Sequence, residues 1–168
     1  QECFIFGPFG ASPMYKWQML DKIKIDNEYL DGDFFLTREE VDLAWRAQLL
    51  GWKCIYNPKS IGQHVHNYTK ESRKKMPKWQ QIIQFRNRYF LIIKNDSLIN
   101  IFRDIHYILL YELIALFFII FREPFLFSSY SEAIKLFPKM LKKRREIKKR
   151  IVVSNNYIRS FFTNNLFN

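Results

Sequence analysis

The chain has 168 residues, of which 48% are hydrophobic and 18% aromatic, and it carries a net charge of +11 at pH 7. This length suffices for one domain with a core, and the composition is too apolar for a disordered chain. The charge predicts an anionic partner, such as nucleic acid, anionic lipid or a phosphorylated substrate. Cys3 and Cys54 form no CxxC motif or disulfide framework, which favours exposure to the cytosol. Because the sequence begins with Gln1, we expect it to start inside a longer gene product.

Residues 1–95 predict an α/β arrangement, because short apolar runs alternate with helix-like spacing and with Gly and Pro breaks. The expected elements in chain order are a buried strand at 3–6, a small-residue turn at 9–12, helices at 14–23 and 38–50, a strand at 53–56, an extended stretch at 61–66 and a helix at 79–95. The small-residue turn contains Gly10 and Ala11, where a backbone can approach a ligand closely. We therefore take Gly10 and Ala11 as candidate substrate-binding residues.

The composition changes near residue 96, which predicts a boundary between 1–95 and 96–168. The stretch 101–121 looks at first like a membrane span, but four titratable residues interrupt it. They are Arg103, Asp104, His106 and Glu112. Its longest charge-free run, 113–121, is much shorter than the roughly 20 apolar residues that a span needs. We expect an interfacial or buried segment there.

The segment that follows predicts a basic amphipathic helix. Ile134, Phe137, Leu141 and Ile151 recur at helical spacing, and lysines and arginines crowd the positions between them. An apolar stripe beside a polybasic face is typical of a helix that lies on an anionic membrane surface. Pro138 is expected to kink this helix or to begin its second half.

Three carboxylates stand at the start of the predicted helix 38–50. Glu39, Glu40 and Asp42 lie in the positive end of its dipole, which favours their ionised forms. An ionised carboxylate that is held in place can take the proton from a sugar hydroxyl as that hydroxyl attacks. The same stretch also fits a capping box, in which Glu40 bonds back to the backbone N–H of Thr37. From these residues alone the cap is the commoner meaning, and both alternatives stay open.

Two further positions carry side chains that suit a ligand. His64 and His66 lie two residues apart, so on a strand they would share one face and could reach one metal ion. A His-x-His pair by itself is more often a surface or core pair. Arg46 is a candidate for contacting a substrate phosphate, or it pairs with Asp42 four residues earlier on the same helix.

Several short motifs follow one another in a fixed order along the chain. They are Gly10-Ala11, Phe34-Phe35, Glu-Glu-Val-Asp-Leu-Ala-Trp-Arg at 39–46, Gly51-Trp52, Pro58, His64, Arg86-Asn87-Arg88 and Lys94-Asn95. In this order and spacing they resemble the C-terminal half of the family 2 glycosyltransferases, especially the rhamnosyltransferase-like branch. The resemblance covers the first 95 residues and continues with looser motifs into the basic helix.

The resemblance implies an incomplete GT-A fold that carries the acceptor side of an active site, followed by membrane-associated amphipathic helices. It implies an inverting transfer of a sugar from a nucleotide donor, with Glu40 as the base where the family usually has the shorter Asp. It also implies that His64 helps to hold a divalent metal, Mg²⁺ or Mn²⁺, on the donor diphosphate. The family's DxD motif belongs to its N-terminal half, so we interpret Asp31-Gly32-Asp33 as a turn.

The expected function is therefore a family 2 glycosyltransferase that is bound peripherally at the cytoplasmic face of the membrane. Its partners would be a nucleotide sugar, a polysaccharide or lipid-linked acceptor, and an anionic membrane surface. We expect no nucleic acid, because no recognised nucleic-acid-binding motif accompanies the basic run. Without the donor-binding half, this chain alone is expected to be inactive. The alternative is a non-catalytic, membrane-binding remnant or interaction protein.

Overall fold

The computed structural model of the protein describes residues 2–8, 10–64 and 75–163. Its elements in chain order are β1 (Cys3–Ile5), α1 (Trp17–Ile23), α2 (Glu39–Leu49), β2 (Cys54–Tyr56), α3 (Lys78–Asn95), α4 (Leu98–Arg103), α5 (Ile105–Phe121), a 3₁₀ turn (Pro124–Leu126), α6 (Phe127–Lys148) and α7 (Asn155–Ser160). Within those ranges, two short strands and seven α-helices form the regular structure.

The expectation of an α/β fold, as an incomplete GT-A domain, is wrong for the residues that the structure describes. They are 60% helical and contain only a two-stranded antiparallel sheet, with no Rossmann-like α/β sheet. Cys3 lies opposite Tyr56 and Ile5 opposite Cys54, and β1 is largely exposed rather than buried. A three-residue strand with a neighbour on one side buries little apolar surface, so the longer helical stretches form the core instead.

The main core forms where α3 and α6 pack against each other, with α2 and α7 beside them. Its buried apolar side chains come from both sides of residue 96. They are Ile25, Phe34, Trp45, Leu49, Phe90, Leu91, Ala133, Met140, Ile147 and Ile158. A second cluster joins Met19 and Ile23 of α1 to Leu43 of α2. Because α2 contributes to both clusters, its position is fixed from two sides.

The predicted helices at 38–50 and 79–95 are confirmed to within a residue or two by α2 and α3. Gly51 follows α2 with a φ of +79°, the left-handed conformation that a helix-ending glycine adopts. The extended stretch expected at 61–66 is not seen as a strand at 61–64, and its last two residues lie outside the described residues.

The apolar stretch at 101–121 divides into α4 and α5 at Asp104. Arg159 of α7 donates two hydrogen bonds to the Asp104 carboxylate, at 2.6 and 2.8 Å, which fixes this break in the chain. A helix over the basic segment is confirmed as α6, which ends at Lys148 and therefore leaves Ile151 outside it. Pro138, where a kink or the start of a second half was expected, lies inside α6. No helix in the described ranges has both the length and the apolar character needed to cross a membrane.

Candidate functional site

The loop that leads into α2 has an unusual backbone. Phe35, Thr37 and Arg38 have φ values of 57°, 64° and 68°, in the left-handed region that side-chain-bearing residues rarely adopt. Each such residue costs on the order of 1–3 kcal/mol and persists only where the surrounding structure holds it. Strain of this kind is concentrated in functional sites, and here it immediately precedes Glu39 and Glu40.

Asn87 of α3 holds this loop. Its buried side-chain Nδ2 lies within hydrogen-bonding distance of three backbone carbonyls, those of Phe34 (2.8 Å), Leu36 (2.8 Å) and Thr37 (2.9 Å). The two hydrogens of this amide nitrogen are shared among the three carbonyls. The brace therefore links α3 to the start of α2.

Arg86, the residue before this asparagine, holds the same loop one step earlier in the chain. Its Nη2 donates to the carbonyl of Asp33 at 2.7 Å, and its Nη1 donates to Glu132 of α6 at 2.9 Å. The Arg-Asn pair in the sequence therefore has a structural role in shaping the loop, which its position in a motif series did not reveal.

The capping box is not what the structure shows. Helix α2 begins at Glu39, its N-cap is Arg38, and no side chain caps it. Within the described residues, the Thr37 hydroxyl and the Glu39 Oε2 are buried without a hydrogen-bond partner. Glu40 is half-buried in the first turn of α2, at the positive end of its dipole. Glu40 therefore does not serve as the cap.

The segment after β1 runs along one face of α2 and ends beside Glu40. Gln48 donates to the carbonyls of Ile5 (3.1 Å), the last residue of β1, and of Phe6 (2.8 Å), the first residue after it. One turn earlier on α2, a Cβ at Gly7 would lie 2.3 Å from the Cβ of Ala44. One further turn earlier, a Cβ at Gly10 would lie 3.5 Å from the Cγ of Glu40. The structure thus brings the predicted residues Gly10 and Glu40 together.

Gly10 and Ala11 are both exposed, so the backbone of the turn is open to solvent above Glu40. Burial raises the pKa of Tyr15, and the Cys54 thiol and the Glu40 carboxylate raise it further. Tyr15 therefore belongs to the electrostatic environment of Glu40. The sequence contained no motif that could have identified it.

Asp42 and Arg46 lie in the core and face away from this edge. The Arg46 Nε donates to the Asp42 carboxylate at 2.9 Å, and the two side chains are 1% and 0% exposed. The other Arg46 nitrogens donate to the carbonyls of Ile23 and Tyr29. The pairing four residues apart, one of the two alternatives for Arg46, is therefore present in the structure.

A buried charge network extends from Asp42 to helix α6. Lys94 contacts both Asp42 and Asp31, while Lys143 of α6 contacts both Asp31 and Asp33. Burial alone would raise the pKa of Asp31, but Lys94 and Lys143 outweigh it and lower that pKa to about 2. The turn at 31–33 is confirmed, and its two aspartates fasten the loop to α6.

The described residues do not by themselves form a metal site. His64 is exposed near the end of a described range, and His66 lies outside the described residues. Across residues 2–8, 10–64 and 75–163, no group of three or more His, Cys, Asp and Glu side chains is placed to hold a metal ion. Mg²⁺ usually keeps several water ligands and is held by one or two protein side chains together with substrate phosphates, so among these residues His64 could supply one ligand at most.

Comparisons with protein-family models, with curated proteins and with solved structures found no match. The chemical possibilities therefore follow from the geometry. Glu40 is a half-buried carboxylate at a helix N-terminus, it follows a strained loop, and it lies next to an exposed glycine. Such a carboxylate can accept a proton from a hydroxyl that approaches over the glycine.

Proposed function

We propose that this chain provides the acceptor side of an inverting, family 2-type glycosyltransferase. The enzyme transfers a sugar from a nucleotide donor to a polysaccharide or lipid-linked acceptor, and Glu40 removes the proton from the attacking hydroxyl. The observation that carries the proposal is the placement of Glu40, in the first turn of α2, under Gly10 and free of a capping role.

The geometry supports a base at this position for a physical reason. General-base catalysis needs a carboxylate fixed within hydrogen-bonding reach of the substrate, since a mobile one loses the benefit of orientation. The brace from Asn87 fixes the backbone that leads into α2. The glycine beside Glu40 leaves space for an acceptor, and a longer side chain there would close it.

The proposed reaction also requires a binding site for the nucleotide-sugar donor. The nucleotide sugar would bind to parts of the enzyme beyond the described residues, and no step is assigned to a metal. A divalent ion, Mg²⁺ or Mn²⁺, remains in the proposal only as a group to which His64 could contribute one ligand. Such an ion would stabilise the charge that develops on a leaving diphosphate.

An anionic membrane surface is the second part of the proposal, with the enzyme at the cytoplasmic face. Several basic side chains of α6 and of its C-cap residue are exposed. They are Lys135, Lys139, Lys142, Arg145, Lys148 and Lys149. Each Lys or Arg near an anionic surface contributes on the order of 1 kcal/mol to binding. Together with the net charge of +11, they favour a lipid-facing surface that keeps Glu40 close to a lipid-linked acceptor.

A non-catalytic membrane-binding protein is the second candidate. It requires only the exposed basic side chains of α6, with no donor or acceptor site. Both candidates predict binding to anionic membranes. Only the glycosyltransferase predicts that replacing Glu40 lowers a turnover rate.

The test is Glu40→Gln in the longest natural polypeptide that contains this chain. Gln keeps the size and much of the hydrogen bonding but cannot accept the proton, so turnover should fall about 10²–10⁴-fold while donor affinity is unchanged. Glu40→Asp should retain activity. Glu2→Gln, at an exposed residue far along the chain from α2, is the matched control. Near-normal nucleotide release by a folded Glu40→Gln enzyme would rule out Glu40 as the base.

A further inference from the structure

Helix α5 has an apolar surface that the rest of the described protein does not cover. Of its large apolar side chains, all but Ile108 and Ile119 are at least about a third exposed. The exposed set continues onto α4, where Leu98, Ile99 and Phe102 are more than half exposed. Contiguous apolar surface of this extent marks a site that contacts lipid or another protein.

One narrow stripe of α5 faces the protein. Ile108, Glu112, Ala115 and Ile119 recur at the three- and four-residue spacing of a single helix face, and the last two are buried. At the middle of the stripe, the Glu112 carboxylate accepts hydrogen bonds from Arg88 (3.0 Å) and from tyrosine hydroxyls of α3 and α6. The helix is therefore attached along its length and lies against the body.

The opposite ridge of α5 points away from the protein. It is formed by Tyr107, Leu110, Ile114, Phe117 and Phe121, all more than half exposed. With apolar side chains on both flanks as well, more than half of the helix circumference is apolar and uncovered. A folded partner usually covers one face of a helix, whereas acyl chains surround whatever enters them.

Charge at the edges of this surface favours lipid over a second copy of the chain. Arg103 and Arg122 are exposed at the two ends of α5, where long basic side chains can reach headgroups. Further exposed basic side chains lie on α6, from Lys135 onward. Two copies that met through this region would bring like charges together, whereas an anionic leaflet complements them.

We propose that α4 and α5 lie within the acyl region of one leaflet of an anionic bilayer, parallel to its surface, while the basic residues of α6 contact the headgroups. Helix α5 has 17 residues and is about 25 Å long, so it presents a long apolar edge to the membrane. This inference deepens the membrane contact of the proposed function and rests on that part of it. It replaces a purely electrostatic surface contact with immersion.

The first test is vesicle flotation of the longest natural polypeptide that contains this chain. Phosphatidylcholine vesicles with and without phosphatidylglycerol are compared at low salt and at about 1 M NaCl, where charge interactions are screened within about 3 Å. Immersion predicts faster capture by the anionic vesicles, and retention on both kinds after the salt wash. Complete release by salt would overturn the inference.

Two matched double variants locate the contact. Leu110→Gln with Ile114→Gln changes the outer ridge of α5, at side chains that are 57% and 61% exposed. Met14→Gln with Ile61→Gln changes exposed apolar side chains elsewhere, which are 95% and 91% exposed. The first pair should lower the partition coefficient roughly 100-fold, because each lost aliphatic contact costs about tenfold. The second pair should lower it little. Equal losses in the two pairs would contradict the assignment to α5.

Depth is measured with a fluorophore that acyl-chain bromines quench. All native cysteines, Cys3 and Cys54 included, are replaced by Ser, and a single label is placed through Ile114→Cys or through Ile61→Cys. Lipids brominated in the chain should quench the first label and leave the second bright. If neither label is quenched and the protein forms a stable dimer through α5, a second copy is the occupant and the inference fails. Glu40→Gln should bind vesicles normally. A failure of the membrane proposal can therefore be distinguished from a failure of the catalytic proposal.

Discussion

The side-chain Nδ2 of Asn87 lies 2.9 Å from the carbonyl oxygen of Thr37, two residues before α2 begins. Asn87→Ala removes this contact and those to two other carbonyls, so these carbonyls lose a shared donor and the left-handed loop loses one of the α3 side chains that hydrogen-bond to it. We expect the free energy of unfolding to fall by about 2–4 kcal/mol, measured by urea denaturation. Gln84→Ala, on the same helix, is the matched control and should cost less than about 1 kcal/mol.

The same substitution should affect catalysis beyond its effect on folding. At a temperature where Asn87→Ala remains folded, kcat of the whole enzyme should fall roughly 10- to 100-fold, because Glu40 would lose its fixed position. Donor affinity should change little. A variant that loses stability but keeps full turnover would show that the brace serves the fold alone.

Asp31 makes the stability of the protein depend on acid pH. Its pKa is about 2 in the folded protein against an ordinary 3.8, because Lys94 and Lys143 favour the ionised form more than burial opposes it. The folded-state pKa is depressed, so the stabilisation is complete above about pH 4 and is lost as the pH falls through 2. The amount is roughly 2 kcal/mol.

Urea unfolding of wild type and Asp31→Asn between neutral pH and pH 2 measures this contribution. The variant should be less stable at neutral pH, and the two proteins should converge as Asp31 of the wild type becomes protonated. Asp42 and Asp33 still pair with Lys94 and Lys143 in the variant, so it should fold. A stability difference that stays constant down to pH 2 would contradict the assignment.

The chain as it stands should not turn over a nucleotide sugar. Both reactants must be held together for group transfer, and under the proposed function these residues supply only the base on the acceptor side. A panel of nucleotide sugars with detergent-solubilised lipid acceptors, assayed for released nucleoside diphosphate, should give no rate above the enzyme-free control. Metal-dependent release by this chain alone would overturn the expectation.

The spacing of apolar residues correctly predicted the helices whose formation depends on local sequence. Phe90 and its neighbours on α3 gave a correct helix, and Gly51 gave a correct end to α2. The prediction of an α/β sheet was wrong because a sheet depends on how many strands pair side by side. An apolar run such as residues 3–6 does not specify how many neighbouring strands it will have. The apolar character of α5 was visible in the sequence, but its exposure depends on what packs against it.

In the candidate site, too, the sequence predicted the local features but not the contacts between distant residues. Thr37 to Glu40 matches a capping box in sequence, yet the left-handed φ values of Thr37 and Arg38 take the hydroxyl out of the capping position. That conformation is held by Asn87, 50 residues later in the chain. A contact between a side-chain amide and distant backbone carbonyls leaves no periodic pattern, so the sequence could suggest Glu40 but could not show how it is held.

The two glycines that follow β1 have different roles. Gly7 allows close packing against α2, and Gly10 leaves Glu40 accessible. A Cβ at Gly7 would fall 2.3 Å from the Cβ of Ala44, so Gly7→Ala forces α2 and this segment apart and should cost about 1–3 kcal/mol. A Cβ at Gly10 would lie 3.5 Å from the Cγ of Glu40, which is an ordinary contact. Gly10→Ala should therefore change the free energy of unfolding by less than about 0.5 kcal/mol.

Gly10→Ala should nevertheless impair the enzyme, because its methyl group covers the side from which an acceptor hydroxyl would approach Glu40. In the longest natural polypeptide that contains this chain, kcat/KM for the acceptor should fall about tenfold, which corresponds to about 1.4 kcal/mol, with donor affinity unchanged. Shortening the base in the double variant Gly10→Ala with Glu40→Asp makes room for the methyl group and should recover part of the loss. That recovery appears as a coupling energy in a double-mutant cycle, which only neighbouring side chains give. Strictly additive effects of the two substitutions would mean that the acceptor does not reach Glu40 past Gly10.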